Sequence, residues 1–273
     1  MKLTRRELLL GAAGIFVGAT VAEAGSGHDD FVIEEVEVFV PGLDEAHDGL
    51  RVAQLSDLHV GAHTPDGRLI SAVRKINARG ADLVVLTGDF VTTRRDPVER
   101  IPDLLVGFEM PAVAVLGNHD HWAGADRIRK AVERADIAVL QNTHTTLQLR
   151  GASFRVLGID DGRTRNDDVP ATFRGVPHEG SRLVLAHTPS TADRLPPEAG
   201  VLCLSGHTHG GHFVIPGITN MALRISKQPY SRGYYALGRN QLYVNRGIGM
   251  DTPVPRLGAA AELTLFTLRR AET

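Results

Sequence analysis

Three observations predict an α/β protein whose ligand-binding side chains gather at one edge of its sheets. Short apolar runs of strand length alternate with segments of helical periodicity. The composition, 42% hydrophobic and 23% charged over 273 residues, is that of a packed globular chain. Five of the apolar runs end in loops that carry aspartate, asparagine or histidine. Ligands of an α/β sheet collect outside the carboxyl ends of its strands, so these loops predict one shared site.

FVIEEVEVFV alternates as a strand does. In LRVAQLSDLHVG, Leu50 to Leu55 is a buried strand and Ser56 opens a loop. DGRLISAVRKINARG places Leu69, Ile70, Val73 and Ile76 on one helical face, with Gly80 as the stop. ADLVVLTGDF is a second buried run, ending in Asp89. DPVERIPDLLVGFE has a helical pattern, with Pro97 suited to its first turn. PAVAVLGNHD is a third strand, and Ile128, Ala131, Val132 and Ala135 then form a helical stripe. In the second half, SFRVLGIDD, SRLVLAHTP and VLCLSGHTHGG are strands ending in Asp160-Asp161, His187 and His207 to His209. HFVIP, GYYALG, QLYVN and ELTLFTL read as strands joined by turns in an antiparallel arrangement. The connections 161–180 and 216–233 are long and carry Arg163, Arg165, Arg174, Arg224 and Arg232. Loops of that length are usually functional or disordered.

Residues 1–24 read as a targeting segment rather than as part of the fold. Lys2, Arg5 and Arg6 form a basic head, Leu8 to Ala22 is uncharged and apolar, and Ala22-Glu23-Ala24 has the form of a cleavage site. Fifteen such residues fall short of the ~20 that span a bilayer. The Arg5-Arg6 pair resembles a twin-arginine export signal. Export by that machinery, to a periplasmic or other extracytoplasmic location, is therefore expected, with 25–273 as a single domain. Retention of 1–24 as a membrane anchor is the competing expectation. The net charge of −2 gives no argument for nucleic-acid binding. The single cysteine, Cys203, lies in an apolar run, excludes an intrachain disulfide and reads as buried filler.

The loop inventory is Asp57 and His59, Asp89, Asn118 and His119, His187, and His207 and His209. Carboxylates and imidazoles without thiolates suit Zn²⁺, Mn²⁺ or Fe, and oppose a cysteine-built structural zinc site. The donors exceed what one tetrahedral ion uses, whereas two ions sharing a carboxylate would use them all.

SDLH, GD, GNHD, a later histidine and GHTHGG, in this order from Leu50 onward, resemble the signature of the calcineurin-like metallophosphoesterases. The basic leader, HDHW and the late YVNRGIG resemble its exported YkuE-like branch, some of whose members cleave the pyrophosphate of a UDP-diacylglucosamine lipid precursor. The resemblance implies two mixed β-sheets packed together with helices outside, a four-layer α/β/β/α sandwich. It also implies that Asp57, His59 and His209 hold one divalent cation, that Asn118, His187 and His207 hold a second, and that Asp89 bridges them. A bridging water would attack phosphorus in line, His119 would act at the leaving oxygen, and Asp120 would orient the His119 ring.

The implied activity is hydrolysis of a phosphodiester or pyrophosphate, with a lipid- or envelope-linked substrate in view. A phosphomonoesterase or nucleotidase, and a non-catalytic metal-binding scaffold, are the alternatives. Trp122, Tyr230, Arg232 and Arg246 are candidates for substrate contact, each with an ordinary packing or loop role as its alternative. His63, His121 and His212 match no ligand position and are expected at the surface or behind the ligands. His212 also stands where many of the YkuE-like sequences carry glutamine.

Overall fold

The computed structural model describes residues 16–22, 30–211, 229–252, 256 and 258–271. Its strands are β1 (Phe16–Ala22), β2 (Phe31–Val40), β3 (Leu50–Leu55), β4 (Leu83–Thr87), β5 (Ala112–Val115), β6 (Ile137–Val139) and β7 (Thr143–Leu149). The remaining strands are β8 (Ala152–Ile159), β9 (Arg182–Ala186), β10 (Leu202–Ser205), β11 (Gly233–Leu237), β12 (Asn240–Val244) and β13 (Ala261–Arg270). The helices are α1 (Asp66–Ala78), α2 (Ile101–Leu105), α3 (Asn118–Glu133) and α4 (Val169–Phe173).

The strands form two mixed sheets, ordered β1-β2-β13-β3-β4-β5-β6 and β11-β12-β10-β9-β8-β7. Strands β3 to β6 run parallel, as do β8, β9, β10 and β12, so each sheet brings several carboxyl ends to one edge. One apolar layer fills the space between the sheets, with Val52, Leu83, Val85 and Val113 facing Phe154, Val156, Leu183 and Leu204. Burying a side chain of this size stabilises by about 1.5–3 kcal/mol. A second layer joins the outer face of the first sheet to α1, α2 and α3, through Leu69, Ile76, Ile101, Leu105, Ile128 and Val132. A third joins the other outer face to α4 and the short turn after His187, through Val169, Ala192 and Leu195. Helices therefore flank both sheets, as the resemblance implied.

Three local expectations change. The stretch 96–109 holds only a 3-10 turn, Val98–Arg100, and the five-residue α2, because Pro102 lacks the N–H that would carry an α-helical ladder through both. GNHD does not merely end a strand: its Asn118 begins α3, whose first turns are set apart from the rest by a kink at Gly124 (φ 115°). The last strands are not one antiparallel set. β11 pairs antiparallel with β12, but β12 is parallel to β10, and β13 leaves for the first sheet, where it lies between β2 and β3.

Of the expected leader, residues 1–15, 23 and 24 lie outside the described residues, and Phe16–Ala22 runs antiparallel to β2 as β1. The segments HFVIP and most of 216–233 also lie outside them. Among the described residues no helix is long and apolar enough to cross a membrane.

Candidate metal centre

The candidate ligands sit on loops held in an unusual backbone conformation. Asp57, His59, Asp89, His207 and His209 have φ of 51°, 47°, 56°, 74° and 50°. A non-glycine residue in this left-handed region costs of order 1–3 kcal/mol and persists only where its surroundings impose it. Here they do. The Asp57 N–H donates to the Gly88 carbonyl (2.9 Å), that of His59 to Asp89 (3.0 Å) and that of Gly249 to Asp57 (2.8 Å). The His207 N–H donates to the Asp57 carboxylate (3.1 Å). Two glycines allow this approach, because a Cβ on Gly206 would overlap Ser56 Oγ and Asp57 Oδ2, and one on Gly117 would overlap Asp89 Oδ1. Beneath the loops, Gln54 donates from β3 to Thr87 Oγ1 (2.9 Å) and to the Ser205 carbonyl (3.0 Å), tying the two sheets together.

Two clusters result. In the first, Asp57 Oδ1 lies 3.3 Å from His209 Nε2, and His59 Nε2 lies 3.1 Å from the same atom. In the second, Asp89 Oδ2 lies 3.1 Å from His187 Nε2, which is 3.2 Å from His207 Nδ1. His187 Nδ1 donates to the Thr87 carbonyl (2.7 Å), which orients the ring and leaves Nε2 for the cluster. His59 Nδ1 hydrogen-bonds to Thr92 Oγ1 (2.9 Å), and a guanidinium nitrogen of Arg256 lies 2.9 Å from His209 Nδ1. The Asn118 amide oxygen is buried and has no hydrogen-bond partner. Such an orphaned acceptor is costly unless something positive meets it.

The electrostatics follow from burial and from the crowding of these groups. Burial lifts the Asp57 carboxyl to about 6 and pushes His59 and His207 down to about 4. Burial would also raise Asp89 and lower His187, but their mutual contact outweighs it. Asp89 is held well below the usual carboxylate range and His187 rises to about 10. Closely set nitrogen and oxygen donors, an orphaned amide oxygen and no thiolate fit divalent cations of the Zn²⁺, Mn²⁺ or Fe type.

His119 is half-buried beside the first cluster, its ring edge-on to His59 at 5.3 Å between centroids. Its Nδ1 donates to the Thr92 carbonyl (2.8 Å), so Nε2 is the ring atom left for a ligand. Asp120 does not orient that ring, contrary to expectation. Its carboxylate accepts the backbone N–H groups of Asp89 (2.9 Å), Phe90 (2.8 Å), Val91 (3.3 Å) and Gly117 (2.9 Å). It clamps the loop after β4 to the start of α3, with the Gly117 bond closing the helix N-terminus. Asp120→Ala would strand several buried donors at about 1–3 kcal/mol each. A loss of about 3–5 kcal/mol is expected in chelator-treated protein, read by urea unfolding. A loss under about 1 kcal/mol would remove the clamp.

The other candidates fall in different places. Trp122 is 49% exposed, and its ring stands T-shaped to that of His119 at 5.0 Å. The Tyr230 hydroxyl donates to Asp193 (2.5 Å) and Arg232 donates to the Gly258 carbonyl (2.8 Å). The Arg246 guanidinium lies between Glu34 (2.6 Å) and Glu262 (2.5 Å), so it is already neutralised by β2 and β13. His63 is exposed, and His121 Nε2 donates to Asp160 (2.7 Å), tying α3 to the loop after β8. His212 lies outside the described residues. Sequence reasoning passed over Thr87, Thr92 and Arg256. Two of these act through main-chain carbonyls, which leave no trace in residue type.

Residues 50–211 match the family of calcineurin-like phosphoesterases. The chain is 30% identical to the uncharacterized metallophosphoesterase YkuE of Bacillus subtilis, over 98% of both chains. It is 28% identical to the UDP-2,3-diacylglucosamine pyrophosphatase LpxG of Chlamydia trachomatis, over 74% of this chain and 78% of that one. It is 29% identical to the phosphodiesterase YaeI of Escherichia coli, over 80% and 82% respectively. Among solved structures, a 5'-nucleotidase precursor from Thermus thermophilus shares the fold at TM-score 0.50 and 15% identity, over 71% of this chain and 48% of that one.

Proposed function

Because the chain belongs to the calcineurin-like phosphoesterase family, and so is a metal-dependent phosphoester hydrolase, we propose that it cleaves a phosphodiester or pyrophosphate bond at a two-cation centre. The carrying observation is the pair of buried carboxylate–imidazole clusters on adjoining loops, beside the orphaned Asn118 oxygen. Asp57, His59 and His209 would hold one cation, and Asn118, His187 and His207 the other, with Asp89 shared. Bound there, the cations would polarise the phosphoryl group and activate water.

The chain's own residues supply the rest. Thr87 and Thr92 fix the rings of His187 and His119 through their carbonyl oxygens. His119, anchored through Nδ1, keeps Nε2 for the leaving oxygen, where it donates a proton or a hydrogen bond as negative charge develops. Asp120 acts one step back, by holding the loops that carry Asp89 and Asn118. Likeness to a lipid-precursor pyrophosphatase and to a phosphodiesterase supports a diester or pyrophosphate substrate that is lipid- or envelope-linked. The basic, apolar start of the chain supports export by the twin-arginine machinery and action outside the cytoplasm, free or anchored through 1–24.

Chelation should abolish turnover, and Mn²⁺ or Zn²⁺ should restore it. On the reloaded protein, bis(p-nitrophenyl) phosphate and a UDP-linked lipid should be cleaved at least about 10-fold more efficiently than p-nitrophenyl phosphate, a difference of about 1.4 kcal/mol in activation free energy. Turnover that survives verified metal removal would refute the two-cation reading. Preference for the monoester would refute the diester assignment in favour of a phosphomonoesterase.

A further inference from the structure

Trp122 is one of only two large hydrophobic side chains that are well exposed among the described residues, the other being Val106. An indole left half in water beside a reaction centre calls for an explanation, because tryptophan buries readily. Its T-shaped contact with His119 uses part of the ring and leaves 49% of the side chain open. The backbone beneath it is fixed, since Arg94 Nε donates to the Trp122 carbonyl (2.8 Å) and Arg127 donates to the Arg94 carbonyl (3.0 Å). Arg94, Arg95, Asp126 and Arg127 around it are all exposed. Arg94, Asp126 and Arg127 are charged, so an acyl chain laid beside them would stay largely wet. A flat ring needs only one face to stack on and tolerates charged groups at its edge.

We propose that Trp122 is the platform for the leaving group, and that this group carries a flat heteroaromatic ring of the nucleobase kind. The inference rests on the reading that His119 serves the leaving oxygen, which puts its ring neighbour on the leaving-group side. Stacking of a base on an aromatic side chain strengthens binding by about 5- to 100-fold.

Trp122 is the only tryptophan in the chain, so intrinsic fluorescence reports on this position alone. Zn²⁺-loaded full-length protein should be titrated with adenosine monophosphate, ribose 5-phosphate and decyl phosphate. The nucleotide should quench the indole and bind about 5- to 100-fold more tightly than the sugar phosphate. By calorimetry, Trp122→Phe should keep most of that preference. Trp122→Ala should erase it while leaving the affinity for ribose 5-phosphate unchanged. Equal affinity for nucleotide and sugar phosphate in the parent protein would overturn the proposal. So would a parallel loss of both in Trp122→Ala, which would make the indole a packing support for His119, or tighter binding of decyl phosphate. Binding is read without turnover. A base preference in protein that cleaves no phosphoester would count against the proposed function alone, and turnover without base preference would count against the platform alone.

Discussion

His119→Gln is expected to lower kcat on a diester by about 10²–10⁴-fold, the range for loss of a positioned proton donor. Metal content should stay at the parent level. The two effects separate because of where His119 sits. Its Nδ1 is committed to the Thr92 carbonyl and its ring meets His59 edge-on, but it belongs to neither cluster. Its main-chain N–H, by contrast, donates to Asp89 Oδ1 (2.9 Å), and that bond survives any side-chain change. Glutamine keeps polarity and similar reach without the imidazole. Elemental analysis beside steady-state kinetics decides the matter. Near-parental turnover would remove His119 from the reaction, and loss of metal with loss of turnover would make it a ligand.

Asp89→Asn should have the larger effect. One carboxylate oxygen takes the His119 N–H while the other meets His187 at 3.1 Å. Asparagine can keep the first contact through its carbonyl but presents an amide N–H₂ and no charge at the second. The expected result is loss of at least one metal equivalent and a fall in kcat/KM of about 10³-fold or more, roughly 4 kcal/mol of transition-state stabilisation. Urea unfolding of the chelated protein should also shift to lower denaturant, because asparagine leaves the buried His187 imidazole without the carboxylate that holds it charged. A variant with full metal content and more than about a tenth of parental kcat/KM, a cost under about 1.4 kcal/mol, would exclude Asp89 from the shared position.

The strands that carry the ligands were legible because strands in parallel sheets are buried on both faces and read as unbroken apolar runs. VAQL, LVVLT, AVAV, RLVLA and LCLS all lie in such strands. β6 and β7 were not, since one is three residues long and the other, THTTLQL, is a half-exposed edge rich in threonine, histidine and glutamine, with only Leu149 buried. The destination of β13 was hidden for another reason: its run is apolar enough for either sheet, and partner choice is set by packing. At the site, the ordered motifs placed every member of the two clusters. What pattern could not supply was the use of main-chain groups. Asp120 serves four N–H groups, and Arg246 is neutralised by Glu34, 212 residues away.

The place of β13 governs the order of events in the making of this protein. β2 and β3 share no hydrogen bonds; each pairs with β13, near the end of the chain, and only through it do they lie in one sheet. A nascent chain still on the ribosome therefore holds the first sheet in two pieces until Ala261–Arg270 emerges. Each cluster likewise draws on both halves of the chain, as with His59 and His209, 150 residues apart. The candidate ligands therefore meet only once β10 and the loop after it have packed against the first half of the chain.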